Sequence, residues 1–187
     1  MTDKTPDNIP VDASPSERIA FAVDRFGEHE VIARSIALLG GQNAGEEFLL
    51  YVGGTHAQGI LDGAPALYWP EVWGARAFNY IWSDTAIPAV TAGLANQAWR
   101  VREMCTRVAA LRHLDVAAEL SPLLEDEVAR VRAGAARALS EVGTPADALS
   151  ITALFRDPEV EVRKAAGVAN KRLRARFPDA PAEAPAK

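Results

Sequence analysis

The sequence predicts an all-α fold, a right-handed α-solenoid of about four to five stacked helix pairs. Three observations lead there. Apolar residues recur at helical spacing from Ser14 to Arg176, with no alternating stretch that reads as a strand. Segments of about thirty residues repeat in register. Within each segment a glycine- or proline-bearing turn separates two short helices, neither of which hides its apolar face alone.

The elements follow in order. The chain has 187 residues, 49% hydrophobic and 24% charged, a balance that suits one folded domain. Residues 1–13 and the run PDAPAEAPAK at 178–187 lack apolar periodicity and are expected as disordered tails around a single domain at 14–177. Ser14, Pro15 and Glu17 combine a serine cap, a first-turn proline and a capping-box glutamate, so a helix begins there and carries Ile19, Ala22, Val23 and Phe26. Gly27 is its expected stop. Phe48–Val52 is apolar enough for a strand, but it follows Ala44, Glu46 and Glu47 and is expected as helix. The glycine-rich stretch Gly53–Pro65 is expected as a loop insertion.

The repeat itself is clearest late in the chain. Arg132 in EDEVARVRAGAARAL and Arg163 in RDPEVEVRKAAGVAN stand thirty-one residues apart with matching neighbours. Arg102 lies thirty residues before Arg132, Arg76 twenty-six before Arg102, and a degenerate fifth copy surrounds Arg34. In each clear unit an acidic residue, Asp126 or Asp157, is expected to cap the first helix, with Pro158 at the first helical position of the last one. Small residues such as Gly134, Ala135, Ala138, Ala165, Ala166 and Ala169 then let neighbouring helices approach closely. After a turn such as Val142–Pro145, the second helix carries Ala148, Ile151, Leu154 and Phe155.

These residues resemble the short HEAT-like repeats found in phycobilisome bilin-lyase subunits, whose aspartate, proline, valine, arginine pattern stands whole in DPEVEVR at Asp157–Arg163. The resemblance covers Glu125–Arg172 best and Pro70–Leu124 less closely. It implies that the motif aspartates and arginines, Asp126, Arg132, Asp157 and Arg163, tie adjacent repeats together. Arg76 and Arg102 match the arginine only.

Composition and motifs narrow the function. Twenty basic against twenty-five acidic side chains give a net charge of -5, which counts against nucleic acid as a partner. Cys105 is the one cysteine, so no disulfide or cysteine zinc site is expected, and a reducing, cytoplasmic setting fits. Cys105 aligns with the core positions Ala135 and Ala166, and His113 with a turn. No membrane span, no signal peptide, no cofactor, no metal set and no catalytic signature is expected. His56 and Asp62 lie in the expected loop and read as solvated.

Four tryptophans fall within thirty-one residues. Phe78, Ile81 and Trp82 suit a core, whereas Trp69, Trp73, Tyr80 and Trp99 fit either a core or a binding surface. Asp115, Glu119 and Asp147 lie on or beside the second helices. The basic last helix, with Lys164, Lys171, Arg172, Arg174 and Arg176, suits a polar cap of the stack.

The leading expectation is a non-enzymatic scaffold that binds a protein or peptide in a groove lined by second helices, through Trp69, Trp73, Tyr80, Trp99, Asp115 and Glu119. Two alternatives rest on scaffold resemblance: a nucleic-acid-binding, DNA-glycosylase-like protein and a bilin-lyase-like chaperone subunit. The sequence assigns no oligomeric state.

Overall fold

The computed structural model describes residues 9–178, and among them are eleven α-helices and no strand. Most of both expected tails lies outside the described residues. Residues 9–13, expected in the amino-terminal tail, instead form a turn held by Arg18, whose Nη1 donates to the carbonyls of Val11 and Ala13. The chain divides into two compact units, Met1–Gly93 and Leu94–Lys187.

The first unit contains α1 (Pro15–Phe26), α2 (Glu28–Leu39), α3 (Glu46–Gly53), α4 (Thr55–Leu61), α5 (Trp69–Ala77) and α6 (Ile87–Gly93). The capping box forms as read: the Ser14 hydroxyl accepts from the Glu17 amide, and Glu17 accepts from the Ser14 amide. Gly27, at φ 85°, closes α1 in a conformation that costs a residue with a Cβ. Helix α3 packs on α1 and α5 on α2, around a core that includes Ile19, Val31, Leu38, Phe48, Val52, Trp73 and Phe78.

The expected loop at Gly53–Pro65 is mostly helix. Gly53 ends α3, Gly54 turns the chain at φ 62°, and Thr55–Leu61 form α4. The glycines that read as breaks serve close approach: a Cβ on Gly53 would stand 2.5 Å from Ala57 Cβ and from the Trp73 ring. Ala57 is fully buried there, which anchors α4.

The second unit contains α7 (Trp99–Arg112), α8 (Ala117–Leu120), α9 (Ala129–Val142), α10 (Asp147–Ala153) and α11 (Val160–Arg176). Helix α9 packs on both α7 and α11. These three are the first helices of successive repeats, and Val131, Ala135 and Ala138 on α9 and Val162, Ala166 and Ala169 on α11 are all buried. The second helices are short: α8 has four residues and α10 seven, each continued by a 3-10 turn, at Ser121–Glu125 and Leu154–Arg156.

Two glycines give a paired test of this packing. A Cβ on Gly74 of α5 would lie 2.7 Å from the backbone of Ser35 and Leu39 in α2, whereas one on Gly167 of α11 would meet nothing within 4 Å. Gly74→Ala is therefore expected to lower the denaturation free energy by about 2 kcal/mol through overpacking. Gly167→Ala is expected to raise it by about 0.5–1 kcal/mol through helix propensity. Urea denaturation of the two variants checks both signs.

Candidate functional site

The second unit is organised by a ladder of arginine forks. Arg102 projects from the first turn of α7, and its Nη1 donates to the carbonyls of Asn96 and Gln97 just ahead of the helix, at 2.8 and 3.0 Å. Its Nε and Nη2 donate to both carboxylate oxygens of Asp126, in the next repeat, at 2.7 and 3.0 Å. Arg132 on α9 repeats this arrangement. Its Nη1 reaches the carbonyls of Asp126 and Glu127 at 2.7 and 3.2 Å, and its outer edge takes Asp157 at 2.7 and 3.0 Å. Both pairs are largely withdrawn from water, with the arginine side chains 11% and 13% exposed and each aspartate 5%. A planar fork on a carboxylate is the strong form of this contact, and low exposure limits its screening by salt.

The aspartates act differently from the expected helix caps. Helix α9 begins at Ala129 and α11 at Val160, so Pro158 lies before the helix rather than in its first turn. Asp126 and Asp157 instead close tight turns, each accepting the amide hydrogen two residues on, from Val128 and Glu159, at 2.8 Å. Each carboxylate thus fixes its own turn and receives the preceding repeat's arginine. The fork from Arg132, aided by the Glu159 amide, holds the Asp157 carboxyl below its ordinary range despite burial.

Asn96 is the member of this series that sequence reasoning missed. It stands thirty residues before Asp126 and accepts the Ala98 amide hydrogen at 2.8 Å, as the aspartates do two residues on. The matching offset was the available signal.

Arg76, expected in the ladder, is built into the first unit in another way. Its Nη2 donates to the Val52 carbonyl, while the Nε of Arg18 donates to the Tyr51 carbonyl at 2.9 Å. Two guanidinium groups therefore satisfy the last carbonyls of α3, where cations suit the helix dipole. Burial holds both below the ordinary arginine range, and the nearby Arg18 charge lowers Arg76 further.

The proposed contact residues are distributed between the two units. Trp73 is only 2% exposed and fills the α3–α4 junction, so it presents no surface to a partner. The half-buried Trp69 stacks on it, at 6.3 Å between ring centroids, and the His56 ring lies 4.7 Å from Trp69. His56 is thus exposed yet packed on aromatic rings, and Asp62 accepts from Gln58. Tyr80 is 45% exposed. Trp99 belongs to the second unit, half-buried, with the guanidinium carbons of Arg100 and Arg130 at 4.2 and 5.7 Å from its ring centre. Asp115 and Glu119 are exposed around α8, but Asp147 is buried and accepts the Ser121 hydroxyl at 2.7 Å, which makes it a second link between repeats.

A groove of about 530 Å³ crosses the second unit, and its lining comes from the first helices rather than the second. Its floor includes Thr106 and Gly134, which lie so close that a Cβ on Gly134 would stand 2.5 Å from the Thr106 hydroxyl oxygen. Ion pairs bridge the helices along it: Arg130 to Glu103 at 3.0 Å and Arg137 to Glu161 at 3.1 Å, with Arg107 beside them. Arg130 also contacts Trp99, which places that ring beside the groove.

Cys105 is fully buried, and desolvation pushes its thiol up to about 12, so its thiolate is not populated at neutral pH. Among the described residues no three histidine, cysteine, aspartate or glutamate side chains converge as a metal set, and no helix is long and apolar enough to cross a membrane.

Residues 87–170, from α6 into α11, match the family model described as HEAT repeats, so this part of the chain is built of HEAT-like repeats. The match is to HEAT repeats in general and distinguishes no subtype. Neither the search of curated proteins nor that of solved structures found a significant match.

The inter-repeat fork carries a definite pH signature. Because the folded pKa of Asp157 lies below its unfolded value, its stabilising effect is full above the ordinary carboxylate pKa of about 3.9 and is lost as pH falls through the folded value. Asp157→Asn is expected to cost about 2–3 kcal/mol at neutral pH, since it leaves Arg132 facing an amide. The gap between the variant and wild type should close as the pH is lowered through that window, which urea midpoints across the acid range would show.

Proposed function

We propose that this chain is a non-enzymatic protein-interaction module acting in the cytoplasm, and that the groove across α7, α9 and α11 holds a segment of a partner protein. The observation that carries this reading is the groove's construction from three successive repeat helices, with its charged walls free to re-pair. Arg130, Arg137 and Glu161 are each more than half exposed, so their mutual ion pairs hold them weakly and exchange cheaply for a partner's charges. Trp99, clasped by two arginines at one side, supplies the aromatic and guanidinium chemistry in which binding energy concentrates. The net charge of -5 weighs against nucleic acid as the occupant.

This reading moves the binding surface from the second helices to the first. It is tested by purifying partners on the full chain from the source cell and titrating the captured protein against variants. Trp99→Ala and the pair Arg107→Glu, Arg137→Glu are expected to weaken binding by about tenfold or more, equivalent to about 1.4 kcal/mol. Asp115→Asn and Glu119→Gln should leave it unchanged. Binding that ignores the groove variants, or that follows Asp115 and Glu119, would contradict the assignment.

A further inference from the structure

The arginine ladder is unequal at its far end. Arg163 keeps the inner half of the arrangement, with Nη1 donating to the carbonyls of Asp157 and Pro158 at 2.6 and 2.8 Å, as Arg102 and Arg132 do to theirs. Its Nε and Nη2, the edge that in the two earlier repeats grips an aspartate, take no carboxylate among the described residues. A pre-positioned fork with its outer edge free is a carboxylate receptor of known geometry.

A second, independent contrast lies around it. In the two earlier repeats the leucines at one position, Leu94 and Leu124, are 2% and 4% exposed, whereas the residue at that position in the last repeat, Phe155, is 43% exposed. The same holds along the helix. Thr106 is buried under Gly134 of the following repeat, and Ala136 is fully buried, but Gly167 at the equivalent place is open to solvent. Lys164 and Lys171 are exposed where Ala133 and Ser140 are buried. The face that a following repeat would cover thus combines one aromatic ring, the Arg163 fork and two lysines.

We infer that Arg163 and Phe155 form a second docking site, at the end of the ladder, for a protein segment that presents an aspartate or glutamate beside an apolar side chain. Charge complementarity selects the occupant: Lys164 and Lys171 disfavour another alanine-faced repeat and favour an acidic surface. The fork sets the position of the carboxylate, about 2.7–3.0 Å from Nε and Nη2, by analogy with Asp126 and Asp157 in this chain. This site is separate from the groove and does not depend on it.

The test uses the full chain with a synthetic peptide of residues 144–159, the segment that carries Asp157 to Arg132. Titration followed by NMR is expected to shift the Arg163 Nε–H resonance saturably. Arg163→Lys, which keeps the charge but removes the fork, and Phe155→Ser, at an exposed position, should each weaken binding by about fivefold or more. Arg137→Glu in the groove should leave it unchanged, and a peptide with Asp157→Asn should not bind. Four results would overturn the inference: binding indifferent to Arg163 and Phe155, shifts confined to the groove, an equal response to inorganic phosphate at matched concentration, or self-association of the full chain that Arg163→Lys abolishes, which would make a second copy the occupant.

Discussion

The second unit depends on one interaction, the arginine fork by which Arg102 and Arg132 each reach the aspartate of the following repeat. Alanine-rich helices such as α9 pack closely but without much shape to fix their register, since small side chains offer few interlocking contours. The fork supplies what the alanines lack. Each aspartate is fixed by its own turn and each arginine by two carbonyls of its own repeat, so when they meet at 2.7 Å both backbones are located relative to each other. The pair is mostly buried, yet each acceptor oxygen and most donors are satisfied, which limits the desolvation cost that isolated buried charges carry. Asp147 and Ser121 add a further link on the side of the second helices.

The first unit solves the same problem with other means. There Arg18 and Arg76 bond to backbone carbonyls at the end of α3, not to carboxylates, and glycines at positions 53 and 74 allow backbone and aromatic rings to come together. Large side chains, Trp73, Phe48 and Phe78, fill the volume that alanines fill in the second unit. The match to HEAT repeats begins at residue 87 and so leaves out most of this unit, in keeping with its different internal chemistry.

Much of the repeat chemistry could be read from the sequence, because the thirty- and thirty-one-residue offsets are set by the same contacts that hold the repeats. The all-α class, the capping box at Ser14 and the burial of Cys105 were legible for local reasons: cap chemistry, helical period and alignment with alanines. What periodicity could not supply was the length of the second helices and the identity of the groove. Both follow from where the chain turns, and the turns at Asp126 and Asp157 are made by side-chain acceptance two residues ahead, which moves the helix starts away from the expected caps. Trp73 was ambiguous because a tryptophan on a helix face is read the same way whether or not a glycine opposite makes room for it. The ring's burial depends on Gly53, twenty residues earlier.

The claim that the forks hold the repeats in register is tested most directly by a double-mutant cycle on Arg132 and Asp157, with each residue changed singly and together and the denaturation free energies compared. A coupling energy of about 1.5–3 kcal/mol is expected for a buried bidentate pair of this geometry. A coupling of about 0.3 kcal/mol or less, within the range of independent sites, would show that packing alone aligns the helices and that the forks are incidental.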